Sequence, residues 1–163
     1  MSDQPRMHDT KNDMSLETRR EMAALLDATL ATTLDLYGHA KQAHWNVKGP
    51  NFLTLHELFD SVASNALAWS DDLAERNVTL GGTAHGVAAL VAKRSKLPNY
   101  PVEAQNAAVH VEAVATALAT LAALVRGAIE SADRAGDKGT SDLFTGISRA
   151  VDKDLWFVES HRG

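Results

Sequence analysis

The sequence predicts an all-α protein in which four long helices pack as a bundle. Three observations lead there. Apolar side chains recur at spacings of three and four, the helical period, and not at two. Glycine (ten) and proline (four) are few and fall mostly at a handful of breaks, leaving stretches such as Asn51 to Leu80 free of both. The segment Thr83 to Pro101, between the second and third long stretches, exceeds a tight hairpin and implies a crossover. A chain of 163 residues with 45% hydrophobic content accommodates one compact domain, expected over residues 15–163.

Residues Met1 to Met14 are polar and lack apolar periodicity, which predicts a flexible N-terminal tail. The first helix is expected to start at Ser15, an N-cap residue type, with Glu17 in its first turn. Leu26, Leu30, Thr33, Tyr37, Ala40, His44 and Val47 then make an amphipathic stripe, and Gly49-Pro50 ends the helix. The second helix runs from about Asn51 to Leu80 and stops at Gly81-Gly82. Within the crossover, Val87 to Lys96 can form a short extra helix, closed off by Pro98 and Pro101. The third helix, about Val102 to Ala135, is apolar enough through VATALATLAALV for a bundle centre. The fourth, about Thr140 to His161, carries Leu143, Phe144, Ile147, Val151, Leu155 and Val158 near helical spacing. Arg126 and Asp152 are candidates for a buried pair between these last two helices. The architecture that fits is a ferritin-like four-helix bundle with a short extra helix in the crossover between the second and third helices.

Composition narrows the function. There is no cysteine, so disulfides and thiolate metal sites are excluded, in keeping with a reducing compartment. A formal charge of −5 repels nucleic acid and attracts cations. In the tail, Arg6 and Lys11 are opposed by Asp3, Asp9 and Asp13, so it lacks the cationic surplus that gains from counterion release on DNA. No terminal apolar stretch resembles a signal peptide or membrane span, and the expected location is cytoplasmic.

The second helix carries the chemistry. His56 and Asp60 are one i,i+4 pair of possible metal ligands, and Asp71 and Glu75 are another. At about 100° per residue all four fall within roughly a 100° sector, yet Asp60 and Asp71 are about 16 Å apart along the axis. One ion cannot bridge them within a chain. A second copy laid antiparallel across a two-fold axis near Asn65 and Ala66 brings His56 and Asp60 of one chain opposite Asp71 and Glu75 of the other. Ala63, Ser64, Ala66 and Ala68 are small enough to let the helices approach. The plainer reading is a solvated face, since 21 acids and seven His give about one His–acid pair at this spacing by chance. His44 taken alone is equally a hydrogen-bonded core histidine. The Glu-x-x-His motif of ordinary ferritin-like di-iron sites is absent, so a metal site must lie outside the bundle centre.

KQAHWNVKGPNF, LHELFD, DDLAERNVTLGG and the late DLWFVES together closely resemble the Dps family, the DNA-binding proteins from starved cells or mini-ferritins. The resemblance runs from about Leu25 to Ser160. It implies a hollow homododecamer of tetrahedral symmetry, with ferroxidase centres at two-fold interfaces and a ferric mineral inside. His44, His56 and Asp60 match the ligands from one subunit, and Asp71 and Glu75 those from its neighbour. Trp45 matches a Trp beside the centre, a sink for stray oxidising equivalents. Glu130, Asp137 and Asp142 resemble the acids lining iron-entry pores; read without the family, they are a charged loop and an N-cap. Trp69 stands one turn from the centre, where DNA-binding members often carry a polar residue.

Mixed carboxylate and imidazole donors suit Fe(II) and tolerate Fe(III). The expected activity is oxidation of Fe(II), with hydrogen peroxide as the oxidant the resemblance implies. Asp60 and Glu75 are then primary ligands, His44 and His56 complete and tune the shell, and Asp71 assists. Two alternatives stand beside it. One is a nucleoid-associated protein that coats DNA, which the acidic charge and balanced tail argue against; the other is a cage that sequesters zinc or manganese without redox chemistry.

Overall fold

A computed structural model describes residues 6–162 and contains five helices, with no strand among the described residues. The part of the expected flexible tail that spans residues 1–5 lies outside the described residues. The helices are α1 (Leu16–Asn46), α2 (Phe52–Thr79), α3 (Ala88–Arg94), α4 (Ala107–Ala135) and α5 (Lys138–Glu159). They form a ferritin-like four-helix bundle plus the short α3. α1 and α2 pack as one hairpin and α4 and α5 as another; α1 lies against α4, α2 against α5, and α3 against α1.

Local chemistry sets the ends. Ser15 caps α1 as expected, its hydroxyl accepting the Thr18 N–H at 3.1 Å. Gly49, at φ +115°, turns the chain, and its carbonyl accepts the Phe52 N–H at 3.0 Å at the entry to α2. Gly81-Gly82 stops α2 for two reasons. Gly81 has φ +90°, and a side chain there would meet the His8 carbonyl at 2.7 Å, while one at Gly82 would overlap the Asn77 amide oxygen. Residues 8–14 are held against this turn: the His8 N–H donates to the Gly81 carbonyl at 2.6 Å, and Arg19 donates to the carbonyls of Met14 and Leu80.

Two boundaries depart from expectation. α4 begins at Ala107, not Val102, because the Asn106 side chain accepts the Val109 N–H at 3.0 Å and fixes the first turn there. α5 begins at Lys138, ahead of Thr140, because Gly136 takes the left-handed conformation that ends α4 and Asp137 at once caps α5. Apolar residues expected on the stripes form one core, among them Leu26, Leu30, Leu121, Phe144 and Val151. α4 is long and apolar enough to cross a membrane, but its buried stripe is spent on the bundle. Arg126 and Asp152 do meet, at 3.0 Å, yet their side chains are 54% and 52% exposed, so the pair is not buried. Such a surface pair contributes at most about 1 kcal/mol.

Buried polar contacts tie the elements together. Asp27 of α1 accepts from Arg94 at 2.6 Å and from the His85 backbone and ring, which fastens the crossover. Asp154 of α5 is buried against Asn65 of α2, whose amide donates to it, and burial raises the Asp154 carboxyl above its usual range. Asp137 accepts from the Thr140 N–H and hydroxyl and from Arg76 of α2 at 2.8 Å. Burial alone would raise its carboxyl, but those hydrogen bonds and the Arg76 charge hold it below the ordinary value.

Replacing Asp137 by Ala removes this cap and leaves the Arg76 guanidinium without its partner, an expected loss of about 3 kcal/mol at pH 7. A depressed carboxyl contributes its full stabilisation above its unfolded pKa, about 3.9, and loses it as the pH falls through the lower folded value. Denaturant midpoints should therefore differ widely between wild type and Asp137→Ala at pH 7, and converge as the pH falls below about 4.

Candidate metal centre

The α1–α2 hairpin brings His44, in the last turn of α1, against His56, near the start of α2. Their rings stack with centroids 3.7 Å apart and planes 20° from parallel. Each ring Nδ1 donates to the other residue's backbone carbonyl, both at 2.7 Å. A carbonyl accepts only, so Nδ1 carries a hydrogen in both rings, and the neutral form of each has its lone pair at Nε2. The His44 carbonyl is available because α1 ends two residues later. The reciprocal bonds thus fix two imidazoles in the tautomer a metal ion requires. Phe52 lies beside the His56 ring, with centroids 5.1 Å apart.

Asp60 sits one turn beyond His56, and its carboxylate receives the Lys41 ammonium at 2.7 Å. That hydrogen bond, helped by the Lys41 charge, holds the Asp60 carboxyl below its ordinary value. The same ammonium lies 5.6 Å over the Trp45 ring, and Trp45 is 66% exposed beside the pair. Sequence reasoning passed over Lys41. It stands three residues before His44, on the same face of α1, and that spacing was the available signal.

Asp71 and Glu75 lie farther along α2, exposed and apart from the histidines. Asp71 edges an open cleft of about 720 Å³ between α1 and α2 that includes Leu30, Leu34, Leu67 and Ala84. The face that carries all four α2 ligand candidates also exposes Leu53, Leu67 and Val78. Among the described residues, no three His, Asp or Glu side chains of one chain are grouped to hold an ion.

Of the three acids compared with pore residues, Glu130 and Asp142 are exposed. Asp137 is 2% exposed and committed to the α5 cap and Arg76, so as a pore-lining acid it is corrected: the charged-loop-and-cap reading describes it. Trp69 is buried in the core.

A profile of the ferritin-like domain matches residues 23–163. The DNA protection during starvation protein of Agrobacterium fabrum is 41% identical over 154 residues, covering 94% of this chain and 95% of that one. The protein of the same name from Brevibacillus brevis is 31% identical over 147 residues, covering 90% and 98%. Among solved structures, DpsC from Streptomyces coelicolor superposes with a TM-score of 0.93 at 28% identity, covering 99% of this chain and 94% of that one. A Dps protein from Bacillus brevis gives a TM-score of 0.84 at 31% identity, covering 90% and 98%.

An ion that uses the Lys41-bound oxygen of Asp60 must first displace an ammonium. Lys41→Ala should therefore tighten binding of Co(II), a stand-in for Fe(II) that does not turn over, by up to about fivefold, the worth of an exposed ion pair of ~1 kcal/mol. Isothermal titration of wild type and variant at neutral pH reads the difference directly.

Proposed function

The chain belongs to the Dps family of ferritin-like proteins, and from that premise we propose that it oxidises Fe(II) at centres shared between two copies of itself and stores the ferric product inside a hollow homododecamer. The observation that carries this reading is the His44–His56 lock, which presents two neutral Nε2 donors next to Asp60 on a face one chain leaves incomplete. The residues fit iron. Two imidazoles and carboxylates, with no sulfur, match an ion that passes between Fe(II) and Fe(III).

An antiparallel second copy supplies what the chain lacks. Its Asp71 and Glu75 would face the first copy's His44, His56 and Asp60, and the exposed Leu53, Leu67 and Val78 would be covered by the same contact. In this arrangement Asp60 and Glu75 bind the ion, the two histidines complete the set, and Asp71 assists. Iron is the substrate: two Fe(II) give one electron each to hydrogen peroxide, which with two protons leaves as two waters. The paired transfer avoids the one-electron route to hydroxyl radical, and Trp45, exposed beside the centre, would intercept strays. Glu130 and Asp142 would draw Fe(II) towards an entry pore by Coulomb attraction that salt weakens. Such a protein works in the cytoplasm.

Relatives named for DNA protection favour a second reading, a protein that shields DNA by coating it. A charge of −5 weighs against direct contact, and removing Fe(II) and peroxide protects DNA without it. A mobility-shift assay at low salt separates the two, since coating gives a shift that higher salt abolishes.

Loading purified protein with Fe(II) anaerobically and then injecting peroxide should produce ferric absorbance that co-elutes with a large soluble particle. His56→Ala and Glu75→Gln, one from each half of the proposed centre, should each slow the absorbance rise by roughly tenfold or more. Iron that precipitates equally fast with all three proteins would sink the assignment.

A further inference from the structure

The end of the crossover is fastened to the bundle by three side chains that have no part in the metal centre. They are His39 of α1, Tyr100 of the crossover and His110 of α4. The Tyr100 hydroxyl and His110 Nδ1 are 2.6 Å apart. Burial pushes the Tyr100 phenol up to about 12, so it keeps its proton and donates. His110 Nδ1 is then the acceptor and Nε2 carries the hydrogen. His110 is fully buried, and its Nε2 meets no acceptor at hydrogen-bonding geometry, although the Ala104 backbone is near. On the other side, the Tyr100 ring meets His39 edge-on, centroids 5.1 Å apart. His39 is 7% exposed; its Nε2 is 3.8 Å from Asp35, and its Nδ1 is buried without a partner.

Beside this trio, Leu97 packs against the core and the Lys96 N–H donates to the Thr32 hydroxyl at 3.3 Å. Two cavities, of about 570 and 380 Å³, share His39, Pro98, Asn99 and Tyr100 in their walls, so this stretch of chain is a partition between two open spaces. The charged groups facing the trio are few. α1 contributes Asp35, and α4 contributes Glu112, which is paired with Arg162 at 2.9 Å. The end of α3 contributes only Ala92 and Ser95.

We propose that His39, Tyr100 and His110 form an acid-released catch: protonation of the two imidazoles detaches the Leu97–Ala104 segment from α1 and α4 while the four long helices stay packed. An imidazolium has a hydrogen on both nitrogens and a charge to solvate. Both rings are buried, and His110 would need a second acceptor at Nδ1, where Tyr100 now donates. Opening supplies it. Burial holds both imidazoles below the ordinary value, with Asp35 restoring part of the shift at His39. The closed segment therefore binds fewer protons than the open one. It is secure above about pH 6.5 and loosens as the pH falls below, each proton multiplying the open population by up to about tenfold per pH unit.

Hydrogen exchange on the full-length assembled protein tests this at pH 7.5 and 5.0, with labelling times matched for intrinsic rate. Peptides over residues 97–106 should lose protection by about tenfold or more on acidification, while α2 peptides keep theirs. His110→Gln retains an acceptor for Tyr100 and cannot charge, and combined with His39→Gln it should flatten the response. Unchanged protection in wild type, or an equal acid loss in the double variant, overturns the proposal. If the double variant fails to fold, NMR titration of wild-type histidine rings decides: His39 and His110 should take up protons below the ordinary pH of about 6.5, and ordinary titration of both overturns it.

Discussion

The register between α1 and α2 is the constraint on which the rest depends. It is set by a short turn, with Gly49 at positive φ and the Phe52 N–H bonded to the Gly49 carbonyl, and it is kept by the apolar core along both helices. Because that register places His44 opposite His56, each ring can reach the other's carbonyl, and both present the same nitrogen outward. A one-residue slip would rotate one ring by about 100° and separate the pair. The same packing carries Lys41 to Asp60, so cation and carboxylate come from different helices although both belong to one small cluster.

Much of this was legible in the sequence because helical periodicity and breakers are local signals. Ser15, Gly49-Pro50 and Gly81-Gly82 mark ends that depend on a residue's own conformational preference, and the helices stop at or within a few residues of them. The start of α4 was misread because the run from Val102 contains neither Gly nor Pro, while the deciding feature is the Asn106 amide. Helix arithmetic placed His56, Asp60, Asp71 and Glu75 on one face, and the exposure of Leu53, Leu67 and Val78 on that face is compatible with a second copy. What the sequence could not show were contacts between helices. The reciprocal His bonds, the Lys41–Asp60 pair and the burial of Asp137 all depend on side chains brought together by tertiary packing. Asp137 was compared with a pore acid through the family resemblance, and its N-cap role was legible beside it; only the fold reveals that Arg76, sixty-one residues away, faces it.

Polar burial is distributed unevenly and with a pattern. The buried carboxylates Asp27, Asp137 and Asp154 each sit at a junction between elements and are matched to a donor from another element. These pairs contribute direction more than energy, since a buried ion pair offsets much of its own desolvation. The crossover is tied down twice, by Asp27 near its beginning and by Tyr100 near its end, through different chemistry. An ion pair holds one end and a neutral phenol–imidazole bond the other, so the two ends respond differently to salt and acid.

The attachment of residues 8–14 to the Gly81 turn has a practical side. The chain enters α1 at Ser15, but its upstream residues double back, and His8 is bonded beside the far end of α2. A peptide or reporter joined just ahead of His8 would thus emerge next to the start of the crossover. Linkers for display on this scaffold should be measured from His8, and a fusion that pulls His8 away would uncover the one turn whose two glycines leave no room for side chains.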